Sequence, residues 1–204
     1  MKVLINLVGL SHHDVGNGLH SYKSVCANLF KNVVNPLKEK HQVDFTLKTY
    51  NTDEESNILS VYNPITSEFV GEQPPFDTYI QSVECLKNYD YDFFIVSRFD
   101  LDIKVPLDID FTKFNFLFKE LDWWDTHQCT TDTFYAFPRY MLTWFELACK
   151  DAHSKRGYPG YLGLLHGLHK DLVNYVDEDN IHFIDSEKQT IQTSTKYSLS
   201  RYGK

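Results

Sequence analysis

The chain has 204 residues, of which 42 % are hydrophobic and 15 % aromatic, and its formal net charge is -8. That length holds one domain with a sizeable core, and the composition excludes a disordered chain. The acidic balance, with no run of lysine or arginine, excludes non-specific nucleic-acid binding, which needs a basic surface to displace counterions.

Lys2 to Leu10 reads as a buried first strand. Its apolar run is broken by Asn6 and followed by His12, His13 and Asp14, too short and polar-flanked for a signal peptide or a membrane span. The expectation is a cytosolic protein. Gly9 through Gly18 reads as a loop. Leu19, Tyr22, Cys26, Leu29, Phe30, Val33 and Leu37 then recur at helical spacing, with Pro36 helping to end the helix. Val43, Phe45 and Leu47 alternate with polar residues as a second strand. Asn51 to Pro75 is polar and acidic, and a connection of that length predicts a mobile lid. Phe76, Ile80, Val83 and Leu86 restore helical spacing before a strand from Asp92. Beyond it, Phe114 to Phe118, Thr133 to Phe137 and Ile181 to Ile184 read as strands. Met141 to Cys149 and the Tyr161 to Val176 pattern read as helices. Strands alternating with helices, then strands at closer spacing, predict an α/β fold with a mixed central sheet flanked by helices. Residues 1–193 form one domain in this reading, and 194–204 a polar tail or the start of a linker into further domains. Cys26, Cys85, Cys129 and Cys149 form no C-x-x-C pair, so neither structural zinc nor a disulfide framework is expected. Cys26, Cys85 and Cys149 fall in helical patterns and are expected to be buried thiols.

The densest chemistry lies in Asp92-Phe-Phe-Ile-Val-Ser-Arg-Phe-Asp-Leu-Asp102. Phe93 to Val96 has the make-up of a strand buried on both faces. If the chain stays extended, Asp100 and Asp102 project to one side at its carboxyl end. Two carboxylates there repel each other unless a hard cation such as Mn²⁺, Mg²⁺ or Ca²⁺ sits between them. Arg98 adds a planar fork suited to phosphate. The bland alternative is an acidic loop. Ligands on such sheets bind at the carboxyl ends of strands, where Gly9 to Ser11 also falls.

Other clusters divide the same way. Gly9-Leu10-Ser11 is either a turn or a close approach for a nucleotide, and it lacks any phosphate-loop fingerprint. His12-His13-Asp14 reads as a solvated loop. His166 and His169 share a helix face, either as a surface edge or as a source of one metal ligand. Of Trp123 and Trp124, one belongs to the core, and the other is either core or a platform for an acceptor sugar. Asp132 is either a turn residue or a base facing a sugar hydroxyl.

An N-terminal half of this kind, ending in Arg-Phe-Asp-Leu-Asp and followed by Phe-Tyr-Ala-Phe-Pro, resembles a glycosyltransferase of the GT-A fold. More narrowly it resembles the small glycosyltransferase domains of large algal DNA viruses, which act on capsid glycans. The resemblance implies a UDP-sugar donor, a glycan or glycoprotein acceptor and a Mn²⁺ cofactor, with Mg²⁺ as substitute. It gives Asp100 and Asp102 the metal and assigns His166 as a third ligand. It gives Gly9, Leu10 and Ser11 the uridine, with Tyr50 and Asn51 beside the base. Arg98 then faces the donor phosphates, and Asp132 the acceptor. Because no carboxylate stands out as a lone base, transfer of the hexose or deoxyhexose with retention is expected. The alternatives are a haloacid-dehalogenase-like phosphohydrolase, whose nucleophile motif is also Asp-x-Asp, and a non-catalytic nucleotide- or carbohydrate-binding module.

Overall fold

The computed structural model describes residues 1–14, 18–155 and 165–202. The chain opens with strand β1 (Lys2–Gly9) and a small hairpin of β2 (His12–Asp14) and β3 (Leu19–Ser21). A 3₁₀ turn at Tyr22–Ser24 leads into α1 (Cys26–Leu29), a π turn at Phe30–Val34 and α2 (Asn35–Lys38), one helix in effect. Pro36 sits in the first turn of α2 and does not end the helix there. Proline cannot donate a backbone bond, and the wider π turn just before it is a form that helices adopt where the regular ladder is interrupted.

β4 (Gln42–Tyr50), α3 (Glu55–Tyr62), β5 (Thr66–Val70) and α4 (Pro75–Cys85) follow. Then come β6 (Phe93–Arg98), β7 (Leu101–Ile103), β8 (Phe114–Phe116), β9 (Lys119–Glu120) and α5 (Trp124–His127). The chain continues through β10 (Phe134–Pro138), α6 (Leu142–Ser154), α7 (Leu168–Leu172), β11 (Ile181–Phe183), β12 (Lys188–Gln189) and β13 (Tyr197–Leu199).

Seven strands form the central sheet in the order β11-β8-β10-β6-β1-β4-β5. β10 runs antiparallel to β6 and β8, and the other pairings are parallel. The fold is therefore α/β with a mixed, Rossmann-like sheet. Alternation along β1 builds two cores. Val3, Ile5 and Leu7 pack with Leu29, Val33, Val34 and Ile58 on one face. Leu4 and Val8 pack with Val83, Phe94, Phe137, Phe145 and Leu172 on the other. Helices must cover both faces because parallel strands buried on both sides expose their apolar run otherwise. Asn6, the polar residue inside β1, is buried at 2 % exposure; its amide donates to Ser82 Oγ at 2.8 Å and its carbonyl accepts from Thr46 Oγ1 at 3.2 Å.

Several local expectations are corrected. The acidic connection after Asn51 is not structureless: α3 buries Ile58 and Tyr62, and β5 extends the sheet beside β4. Two inward apolar residues one turn apart suffice to dock a short helix, whatever the charge of its outer face. The segment after Thr193 is not a loose tail either. β13 pairs antiparallel with β7, and Tyr197 and Leu199 are each 2 % exposed. Three alternating residues anchor it, too few to produce a periodic signal. Cys85 is exposed and Cys26 half-buried, whereas Cys129 and Cys149 are buried, all as free thiols. Of the helix expected from Tyr161 to Val176, Tyr161 and Leu164 lie outside the described residues, and α7 covers only Leu168–Leu172.

Candidate functional site

A cleft runs across the carboxyl ends of β1, β4 and β6. Chain leaving β1 crosses to β4 on one side, and α4 brings it back to β6 on the other side of β1, the arrangement that opens a crevice at a sheet's carboxyl edge. One lobe, a cavity of about 320 Å³, is walled by Val8, Gly9, Leu10, Tyr50, Tyr79 and Arg98. A second lobe of about 540 Å³ is walled by Glu120, Asp122, Trp123, His166 and the Thr190–Thr193 turn. Arg98, Asp132 and Arg201 line both lobes and mark their junction.

Arg98 ends β6 and is held in a fixed pose. Its Nε donates to Asp100 Oδ1 and its Nη2 to Asp100 Oδ2, each at 2.9 Å. This two-point geometry suits a guanidinium and a carboxylate. Nη1 lies 4.0 Å from Asp132 Oδ2, and Asp132 Oδ1 lies 3.7 Å from His166 Nε2. On the other side, His20 Nδ1 meets Asp100 Oδ2 at 2.6 Å, and its Nε2 meets Arg201 Nη1 at 3.2 Å. A guanidinium only donates, so Nε2 accepts and Nδ1 carries the proton given to Asp100. Burial pushes the Asp100 carboxyl up, but the His20 hydrogen bond and the Arg98 charge outweigh it and hold the group at about 2.

The aspartates of the triplet are engaged by different partners. The chain turns at Phe99 and Asp100 and resumes as β7, which belongs with β13 and not with the central sheet. Asp100 is 1 % exposed and points inward. Asp102 accepts from Asn28 Nδ2 of α1 at 2.7 Å and lines neither lobe. His166 has Asp132 as its carboxylate neighbour, and its Nδ1 donates to Thr130 O at 3.0 Å. Among the described residues, no three His, Cys, Asp or Glu side chains gather closely enough to hold an ion. For Asp100 to ligate the Mn²⁺ that the resemblance implies, it would have to release both Arg98 and His20.

The other expected residues divide between wall and support. Gly9 lines the first lobe with φ +95°, a conformation that a side chain resists, at a point where the backbone faces open space. Leu10 lines it as well. Tyr50 also lines it; its Oη donates to Gln73 O at 3.3 Å and accepts from Thr78 Oγ1 at 3.1 Å. Ser11 does not reach the lobe. It is fully buried, and its Oγ accepts from Thr49 Oγ1 at 2.8 Å, so it ties β1 to β4. Asn51 is exposed outside the wall, with its carbonyl against His13 Nε2 at 3.0 Å. His12 is spent on Ser21 Oγ at 3.2 Å, and so the adjacent histidines form no cluster.

The two tryptophans split. Trp124 is half-buried against His169 and Phe183, with Lys119 Nζ 4.6 Å from its ring centre. Trp123 stays 37 % exposed in the wall of the second lobe. His169 faces the core beside Phe116, where burial and the nearby Lys119 charge press its pKa down to about 4.

The wall residues that escaped the sequence reading include His20, Tyr79, Glu120 and Arg201. Each is a lone polar or aromatic residue whose neighbours in the chain carry no matching signal. Arg201 reaches the cleft only because Ser200 N donates to Asp100 O at 2.8 Å, fastening the terminal segment across the turn. Among the described residues, no helix is long and apolar enough to cross a membrane. No protein-family model matches the chain, and no curated protein is found to be similar to it.

Proposed function

We propose that this chain is a glycosyltransferase that moves a hexose or deoxyhexose from a UDP-sugar to a glycan acceptor. The observation that carries this reading is the two-lobed cleft with Arg98, Asp132 and Arg201 at its waist. A group-transfer enzyme with two substrates needs two adjoining subsites, and positive charge belongs where the diphosphate departs. In this reading the nucleoside lies in the first lobe, between the Gly9–Leu10 backbone and the Tyr50 and Tyr79 rings. Its diphosphate reaches Arg98 and Arg201. The acceptor sugar lies in the second lobe on the face of Trp123, with Asp122, Asp132 and the threonines of the 190–193 turn offering partners for hydroxyls.

Chemically, the acceptor oxygen attacks the anomeric carbon as the bond from that carbon to the phosphate oxygen breaks. The electron pair leaves with UDP, and Arg98, oriented by Asp100, stabilises the charge that appears there. A Mn²⁺ or Mg²⁺ ion would supply the same stabilisation. With Asp100 held by Arg98 and His20, that task falls to the arginines in this reading.

The phosphohydrolase alternative requires a carboxylate open to attack a phosphorus atom. Asp100 is buried with both oxygens engaged, and Asp102 lies away from the cleft, which disfavours that route. Incubation with a panel of UDP-sugars and glycan acceptors tests the reading. Release of UDP with a new glycoside supports it. Release of inorganic phosphate, or binding without turnover across the panel, refutes it in favour of a phosphatase or a binding module.

A further inference from the structure

β9 is only two residues long, and its alternation places them on opposite sides. Lys119 turns outward over the Trp124 and Phe183 rings, at 4.6 and 4.7 Å. Glu120 turns inward, is 4 % exposed, and forms part of the second lobe's wall beside Trp123, Asp122, Asp132 and His166. Its backbone is fixed: the amide donates to Cys129 O at 3.0 Å, and β12 pairs alongside through Gln189. Its carboxyl is different from the other acids of the cleft. Asp100 is locked by Arg98 and His20, and Asp132 stands between Arg98 and His166. Among the described residues, no donor lies within hydrogen-bond distance of the Glu120 carboxyl.

Resting on the glycosyltransferase reading, we propose that Glu120 is the general base of the transfer and that the reaction inverts the anomeric centre. The acceptor hydroxyl, seated against Trp123, gives its proton to a Glu120 carboxylate oxygen as its own oxygen bonds to the anomeric carbon. The carbon–phosphate-oxygen bond breaks in the same displacement, and its electron pair leaves with UDP. Glu120 then returns the proton to solvent through the open side of the lobe. No second nucleophile and no external reactant are needed. This replaces the expectation of retention, which rested on the lack of a carboxylate suited to be a base.

The surroundings match the task. Burial raises the Glu120 carboxyl to about 7; the His166 charge opposes this, while Asp122 and Asp132 add to it. A base titrating near the working pH combines adequate basicity with a substantial ionised fraction. Arg98 and Arg201 line the lobe at its junction with the first, where Arg98 is engaged by Asp100. Lys119 lies over the aromatic rings, Lys188 pairs with Asp125 at 2.6 Å, and Cys129 is a buried thiol raised to about 11, first by burial and then by Glu120 itself.

The test compares Glu120→Gln and Glu120→Asp with the wild type on a turned-over UDP-sugar and acceptor. Glu120→Gln should lower kcat by about 100-fold or more, while UDP affinity changes less than about threefold. The wild-type kcat should rise through a midpoint near 7, a limb that Glu120→Gln abolishes and Glu120→Asp moves downward while restoring part of the rate. The product anomer, read by NMR, should be inverted relative to the donor. Retained configuration, or a Glu120→Gln enzyme with wild-type kcat and pH profile, overturns the role of Glu120 and leaves the glycosyltransferase reading standing. A wild type that turns over no UDP-sugar overturns both. The melting temperature of Glu120→Gln is recorded alongside to separate a folding defect from a catalytic one, and the Glu120→Asp pH shift decides independently.

Discussion

Arg98 and Asp100, two residues apart, face each other as a two-point ion pair, with Nε–Oδ1 and Nη2–Oδ2 both at 2.9 Å. The pair mounts the guanidinium at the end of β6. The chain turns at Phe99 and Asp100 directly after β6 ends at Arg98. His20 closes the mount from below, and Arg201 closes it from the terminal segment.

Asp100→Asn should destabilise the fold by about 3 kcal/mol, since it leaves Arg98 and His20 without their shared buried anion. The folded carboxyl, at about 2, lies below its ordinary 3.8. Its stabilisation is therefore present above about pH 4 and lost as pH falls through about 2, worth about 2 kcal/mol. Urea titrations of both proteins should show the gap at neutral pH and its closure in acid. An equal gap at every pH would mean that packing, and not the ion pair, sets the cost.

If the arginines meet the diphosphate, UDP affinity should differ by less than about threefold between EDTA and Mn²⁺, while Arg98→Lys weakens it by about tenfold. Lysine keeps the charge but cannot span Asp100 at two points. Calorimetry decides the matter. A rise of more than about tenfold on adding Mn²⁺ would show that Asp100 releases Arg98 to bind an ion.

Glu120→Gln should also leave a trace in stability. The folded carboxyl sits at about 7, above its ordinary 4.5. The native state thus favours the protonated form: that contribution is full below about pH 4.5 and is lost as pH rises through about 7. The glutamine variant should gain on the wild type across that window, by about 1 kcal/mol at pH 8 after discounting for the solvent-open lobe. Melting curves at acid and alkaline pH should diverge accordingly.

Trp123→Ala should raise the acceptor KM by about tenfold and leave UDP binding unchanged, because a ring stacked on a sugar acts only in the second lobe. Loss of UDP affinity in this variant would place the indole on the donor side instead.

Tyr197→Ala should cost about 3 kcal/mol, since the ring is 2 % exposed and stacks on Phe118 at a centroid distance of 5.8 Å. It should also weaken UDP binding, because Arg201 depends on the same anchored strand. Arg201→Ala should weaken UDP binding without that loss of stability, which separates the two effects.

The sequence by itself determined the layered α/β architecture. Phe93 to Val96 and Lys2 to Leu10 are apolar runs that only a strand covered on both faces can bury, and Val83 with Leu86 has helical spacing. It also determined the edge on which the cleft lies, because Gly9, Tyr50 and Arg98 end the parallel strands β1, β4 and β6 at one edge of the sheet. Tertiary structure decided what those residues do. Periodicity records which face of an element is buried, but β7, β9 and β13 have two or three residues each and acquire direction only from distant partners. The different partners of Asp100 and Asp102, the arrival of Arg201 from the far end of the chain and the desolvation of Glu120 all depend on contacts between distant segments. Their physical cause is contact between residues far apart in sequence, which no local pattern encodes.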